Sequence, residues 1–371
     1  MKTPQELLVE RSNRIQAAIS LQKTDRVPVV LMGDAFCAKH QNVRLSEFCK
    51  SPELATRTMI NSLTSLGEFD GIEMILTDAR LVTMNFFCDV LLPGRDLPED
   101  SLWQIVETGY LTVDDYDRII NEGWAAVAQD VIANRMKDKN LMEECIPAIQ
   151  FLPQALKNWS DAGIVPFSPL FGAPAFDELS FGRSMGPFFK DLYRHIDKIE
   201  EVIKVRTAEW TKMIAQQIKE TGLKGVFMGC ARCSSQFISR KFAERLLWPY
   251  LKEQVDAVVE AGGYVYLHCD SSWDRDLDLF RTLPKGRCVL SSDSATNIYK
   301  MKEVLGDHMC LMGDVPASLL TLGTPDEVYK HCTKLVREIG PTGYILSQSC
   351  TIPQTAKPEN VAAMMAAAKE S

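Results

Sequence analysis

Eight short apolar runs, each closed by polar or turn-forming residues and spaced by stretches of helical periodicity, set the strongest limit on what this chain can become. They are Val27–Met32, Ile72–Leu76, Ile164–Phe167, Gly225–Met228, Tyr264–Leu267, Cys288–Leu290, Met309–Met312 and Tyr344–Leu346. A nearly continuous apolar run fits a strand buried on both faces, which is the condition of a parallel sheet covered by helices. A helix is expected over Pro4 to Leu21, and others over Phe242 to Ala261 and Pro325 to Ile339. In the last, Thr324, Pro325 and Glu327 form a capping box with proline at the first helical position. Eight strand and helix units suggest closure into a (β/α)8 TIM barrel, an α/β fold. The alternative is an open doubly wound sheet, but no G-x-G-x-x-G follows the first run. At 371 residues the chain has enough material for one such barrel. We therefore expect a single domain over 1–371, with residues 79–162 as a helical, substrate-covering insertion between strands two and three.

Each run is followed by residues that can do chemistry. Gly33-Asp34 follows the first, Thr77-Asp78 the second and Gly229-Cys230 the fourth. His268-Cys269-Asp270, Ser291-Ser292-Asp293, Gly313-Asp314 and Ser347-Gln348-Ser349-Cys350 follow the last four in turn. A closed parallel barrel gathers all these positions on one rim, where active sites of the fold lie. Taken singly each residue has a plainer reading: an aspartate after a strand caps the next helix, and a lone cysteine or histidine packs in the core.

Residues two apart at a strand end leave it on the same side, so His268 and Asp270 can reach one ion while Cys269 points away. Cys350 can join them from across the mouth. Imidazole, carboxylate and thiolate together favour zinc over magnesium, and three protein ligands leave a position open. Asp293 is a candidate fourth ligand or a partner of His268. Asp34, Asp78 and Asp293 are the candidate catalytic groups, able to orient or protonate a substrate. Met84, Phe86, Phe87, Leu91 and Leu92 are candidates to cover it, or else simply pack on the barrel. Cys230 forms a C-x-x-C with Cys233, has no second pair for a structural zinc, and is a further candidate to face the substrate.

Composition narrows the partners. A formal net charge of -8 with no clustered Lys and Arg argues against nucleic acid. No run of about 18 apolar residues points to a membrane span. Residues Met1 to Gln22 lack the apolar core of a signal peptide. An odd count of 11 cysteines, several inside apolar runs, suits reduced thiols in a cytoplasm.

Several segments resemble the uroporphyrinogen decarboxylase superfamily, and within it the zinc-dependent corrinoid methyltransferases. They are Asp25-Arg26-Val27-Pro28-Val29, Phe69-Asp70-Gly71, Pro93-Gly94-Arg95, Trp248-Pro249-Tyr250-Leu251-Lys252 and Leu267-His268-Cys269-Asp270. Met312-Gly313-Asp314-Val315-Pro316, Leu322-Gly323-Thr324-Pro325, residues 346–353 and Lys357-Pro358-Glu359-Asn360 extend the resemblance over most of the length. Zinc-using members carry H-x-C on strand five and a cysteine after strand eight. His268 and Cys350 match; Asp270 replaces the middle cysteine, as in relatives associated with demethylating methoxylated substrates. The resemblance implies methyl transfer from a small methylated donor to the Co(I) of a corrinoid (cobalamin) on a partner protein, with room for a homodimeric assembly. Two other activities stay open: transfer from a methylcorrinoid to a thiol, and decarboxylation. Decarboxylases follow strand one with an arginine-rich segment that grips a porphyrinogen's carboxylates; here stands Met32-Gly33-Asp34-Ala35-Phe36-Cys37-Ala38-Lys39, and a lysine does not replace paired arginines. A non-enzymatic barrel that only binds a cobalamin protein is the remaining reading.

Overall fold

A computed structural model describes residues 2–75 and 78–369. Leu76 and Thr77, the end of the second apolar run and the start of its rim segment, lie outside the described residues. The strands are β1 (Val30–Leu31), β2 (Gly71–Ile72), β3 (Asp89–Leu91), β4 (Gln104–Val106), β5 (Val165–Pro166), β6 (Leu170–Gly172), β7 (Gly225–Cys230), β8 (Tyr264–Cys269), β9 (Cys288–Ser292), β10 (Cys310–Val315) and β11 (Tyr344–Gln348). Two parallel sheets run β1-β2-β5 and β11-β10-β9-β8-β7-β6. A parallel bridge between Val29 and Leu346 joins β1 to β11. β5 and β6 are two pieces of one chain segment, the first paired with β2 and the second with β7. The pairings therefore pass round a ring of eight positions, as expected of a (β/α)8 barrel.

The third position is split for a local reason. Phe167 and Ser168 donate their N–H groups to Ile72 and Glu73 at 2.9 and 3.1 Å, continuing the pairing with β2. Pro169 has no N–H, so the ladder stops there and resumes toward β7. Four of the later strands also run past their apolar runs: His268, Cys269, Ser291, Ser292, Gly313, Asp314, Ser347 and Gln348 are ladder residues, not loop residues. Ladder pairing holds those polar side chains more rigidly than a loop would.

Alternation along the strands builds two cores. Inside the ring pack Val30, Phe167, Tyr264, Tyr266, Val289, Cys310, Met312 and Ile345. The N-terminal helix Pro4–Ile19 adds Ile15, Ala18 and Ile19 to the same cluster. Gly225 sits where strand segments three and four approach: a Cβ there would lie 1.9 Å from the Phe167 carbonyl oxygen and 2.8 Å from the Tyr264 hydroxyl. Gly225→Ala is accordingly expected to cost about 1–3 kcal/mol, as overpacking does, read as a lower urea midpoint at constant slope. An unchanged midpoint would show that the two segments separate freely.

Residues 79–162 hold the helix Ala79–Phe86, the antiparallel hairpin β3–β4, the helices Val113–Glu122 and Trp124–Asp130, and the helix Leu141–Asp161. Polar ties dock this segment on the barrel, among them Glu107 with Arg232 and with the Met185 N–H. The capping box at Thr324 and Glu327 forms as expected, opening the helix Pro325–Glu338. No helix among the described residues is long and apolar enough to cross a membrane.

Candidate metal centre and adjoining cavity

His268 is the fifth residue of β8, in register with Gly229 of β7 and Ser291 of β9. Asp270 lies just past the same strand end, and Cys350 just past β11. One nitrogen, one oxygen and one sulfur from these three side chains lie within 4.8 Å of one another, and they form the only such grouping among the described residues. His268 Nε2 stands 3.4 Å from Asp270 Oδ1. The imidazole is buried, Asp270 half-buried, and the Cys350 thiol exposed toward the mouth. Burial by itself would lower the His268 pKa; hydrogen bonds to Asp270 and Cys350 outweigh it and hold the imidazole well above its usual value. Such an electron-rich cluster suits a cation, and the mixed nitrogen, oxygen and sulfur set suits a transition-type divalent ion better than magnesium. Cys269, the residue between the two β8-derived ligands, is buried on the opposite side with Cys230 and Cys233.

A second layer supports the imidazole. His268 Nδ1 is 3.2 Å from the Tyr266 hydroxyl, which donates to Glu73 Oε2 at 2.9 Å. Ser347 donates to Glu73 Oε1 at 3.0 Å, and the Gln348 amide donates to the same oxygen. Gln348 also donates to the Cys350 carbonyl at 3.2 Å. Burial is the largest influence on Glu73 and pushes its pKa up to about 7, against the pull of His268 and the three donors. On one face the ring of His268 stacks on Phe227 at 5.7 Å, and Phe227 stacks on Phe171 at 5.6 Å.

Phe171 opens onto a cavity of about 370 Å³ lined also by Met32, Asp34, Ile75, Asp78, Leu81, Val82 and Trp103. Among the described residues, neither lysine nor arginine lines it. Asp34 is buried, which raises its pKa; its Oδ1 accepts from the Ala35 N–H at 2.7 Å and faces the Thr351 hydroxyl at 3.5 Å. It thus links the cavity to the segment that carries Cys350.

The other expected site residues are placed differently. Asp78 lines the cavity, yet its carboxylate caps the helix Ala79–Phe86 through the Arg80 N–H and pairs with the Arg80 guanidinium at 2.6 Å, so the capping reading holds. Asp293 braces a loop, accepting from the Ser271 and Ala295 N–H groups at 2.9 and 3.1 Å, and stands outside the three-ligand cluster. Met84, Phe86 and Phe87 do not line the cavity: Met84 packs on the core, Phe87 is buried against Trp124, and Phe86 backs Phe171 and Phe181. The helix turns the other way, presenting Leu81, Val82 and Asn85. Leu91 and Leu92 belong to the hairpin region, also away from the cavity. Cys230 is fully buried beside Cys233 and Cys269, which lower its pKa by hydrogen bonding. It cannot touch a substrate without a rearrangement. Asp314, by contrast with the capping expected of it, is a ladder residue of β10, and burial raises its pKa to about 7. Sequence reasoning missed Glu73, Tyr266, Phe227 and Trp103. The signal for Glu73 was present as a lone carboxylate inside an apolar strand.

A (β/α)8 barrel with a mixed-ligand cluster at its mouth, and an apolar cavity linked to His268 through the stacked rings of Phe227 and Phe171, is the class of molecule these features define. The chain belongs to the uroporphyrinogen decarboxylase (URO-D) family, whose model matches residues 141–371, more than half of its length. It is 23% identical over 373 residues to the uroporphyrinogen decarboxylase of Chlorobium luteolum, covering 95% of this chain and 96% of that one. Identity to the Chlorobium phaeovibrioides uroporphyrinogen decarboxylase is 22% over 374 residues, at the same coverage. Among solved structures, a methyltransferase from Methanosarcina mazei superposes with a TM-score of 0.72 at 18% identity, covering 97% of this chain and 98% of that one. That likeness establishes the shared fold.

Proposed function

We propose that this protein is a zinc-dependent methyltransferase that moves a methyl group from a small methoxylated donor to the Co(I) of a corrinoid held by a separate protein. The observation that carries this reading is the convergence of His268, Asp270 and Cys350 within 4.8 Å at the barrel mouth. Two stretches far apart in sequence supply them, and no structural need of the barrel calls for a thiol and an imidazole there.

Zinc bound by the three side chains would supply Lewis-acid stabilisation of the charge that develops on the leaving group, with a coordination position to spare. The residues of the chain do the rest. Phe171, Leu81, Val82 and Trp103 offer an apolar wall for the body of the donor and exclude water from it. Asp34, kept protonated more readily by its burial, can hold a proton toward the donor's oxygen. The methyl carbon would then face the open mouth, where a partner's corrinoid approaches.

The decarboxylase reading draws on the two Chlorobium relatives. Against it stands the charge of the cavity: no cation lines it among the described residues, Arg80 is committed to Asp78, and Arg95 pairs with Asp138 at 2.7 Å. A polycarboxylate substrate would meet the carboxyl groups of Asp34 and Asp78 there and no cation to grip it among the described residues.

The test incubates purified protein with Co(I) cobalamin and a panel of methoxylated donors, following the absorption change on methyl–cobalt formation. Methylation of cobalt supports the reading. No transfer from any donor, together with turnover of a porphyrinogen, would replace it by the decarboxylase; transfer only from methylcobalamin to a thiol would reverse its direction. In the active assay Asp34→Asn is expected to lower kcat by about 10²-fold, the lower end of what a positioned proton donor contributes. An unchanged kcat would remove Asp34 from the chemistry.

A further inference from the structure

We propose that Glu73 is the positioning residue of this site: through Tyr266 it fixes the tautomer of His268 so that Nε2 is free to bind the metal, and through Gln348 it holds the segment that carries Cys350. The inference rests on the metal reading above and adds to it a residue that touches none of the ligands' side chains.

Glu73 is 1% exposed and lies on the segment just past β2, yet its carboxyl reaches two other strands. Three side-chain donors converge on it: Tyr266 of β8 at 2.9 Å, Ser347 of β11 at 3.0 Å, and the amide of Gln348. In its ionised form the Glu73 carboxylate only accepts, so the phenolic proton of Tyr266 points at Oε2. The phenolic oxygen is left as an acceptor, and the atom facing it at 3.2 Å is His268 Nδ1. That nitrogen must then carry the proton. An imidazole that binds a metal keeps a single N–H, so its lone pair falls on Nε2, the nitrogen 3.4 Å from Asp270 Oδ1 and on the cluster side. Metal-binding histidines are commonly fixed in this way by a partner on the second nitrogen. Here the partner is a relay of two side chains.

The same carboxylate also acts on the other ligand stretch. Gln348, held by Glu73 Oε1, donates its second amide hydrogen to the Cys350 carbonyl at 3.2 Å. One buried group thus ties together the ends of β8 and β11, which the sequence separates widely.

Glutamine at this position keeps the shape and breaks the logic. With its amide nitrogen toward Tyr266, the phenol must donate to Nδ1, and the imidazole proton moves to Nε2, where it blocks the metal. With its amide oxygen toward Tyr266, its nitrogen meets the amide nitrogen of Gln348, a donor facing a donor, and the Cys350 arm is lost. Either orientation forfeits one arm.

The experiment measures zinc affinity of the full chain by competition with a chromophoric chelator, and the visible spectrum of the Co(II)-substituted protein, for wild type, Glu73→Gln and Tyr266→Phe. Both variants are expected to bind zinc about 10–100-fold more weakly, the usual loss when a ligand's supporting partner is removed. Both should shift the Co(II) bands, a change that lowered fold stability alone would not produce. Zinc affinity within about twofold of wild type with an unchanged Co(II) spectrum, in either variant, overturns the proposal. Should Glu73→Gln fail to fold, Tyr266→Phe decides, because it removes the relay and leaves the bonds to Ser347 and Gln348. A folded wild type that binds no zinc overturns the metal reading and this inference together, a result distinct from loss in the variants alone.

Discussion

Cys350→Ala is expected to reduce zinc from about one ion per chain to a small fraction of that, and to abolish methyl transfer. The thiol is one of the three ligand side chains gathered at the mouth among the described residues, so its loss leaves a two-point site. Removing a partner that merely supports a ligand costs about 10–100-fold in metal affinity, and removal of the ligand itself should exceed the upper end of that range. The sulfur is solvent-exposed, so little packing disappears with it. Metal-free wild type and variant should therefore unfold at nearly the same urea concentration while differing sharply in elemental analysis. Zinc content that survives the substitution, measured after dialysis against a weak chelator, would show that the ion sits elsewhere, and the proposed chemistry would lose its centre.

Asp70→Ala is expected to lower stability by about 3–5 kcal/mol, the cost of stranding buried charge after one partner of an ion pair is deleted. Asp70 is fully buried and accepts from Arg14 at 2.6 Å, from Arg26 at 2.8 and 3.0 Å, and from the Val29 N–H at 2.8 Å. It joins the N-terminal helix, the entry to β1 and the start of β2, where Gly71 pairs with Val30. Arg14 keeps Asp25 at 2.6 Å and Glu10 at 2.8 Å, partners nearer the solvent, while Arg26 loses the carboxylate it pairs with at 2.8 Å. The change should appear as a large fall in the urea midpoint. Zinc affinity, measured well below that midpoint, should stay near wild type, since the group lies at the opposite part of the strands from the cluster. A shift worth less than about 1 kcal/mol would mean that water reaches the two guanidiniums when the carboxylate is gone. The segments Asp25-Arg26 and Phe69-Asp70-Gly71 thus have a stability role, and their place in the family resemblance needs no catalytic explanation.

Periodicity in the sequence determined a great deal by itself. Alternating apolar runs and amphipathic helices specify the strands and their order, because burial on both faces and the helical repeat are local properties of the chain. The pairing of His268 with Asp270 was legible for the same reason, since residues two apart on a strand share a side. Tertiary structure decided the rest. That Cys350, and not Asp293, reaches the imidazole depends on how far each strand runs past its neighbours around the ring, a quantity set by barrel closure and invisible in any one segment. Helix rotation turned Leu81 and Val82 toward the cavity and Phe86 and Phe87 into the packing, a choice made by the surfaces that the helix meets. Glu73 acquires its meaning only when β2, β8 and β11 bring one carboxylate, one phenol and one amide into reach of each other. Hydrogen-bond direction in a buried network is a collective property, fixed by every member at once.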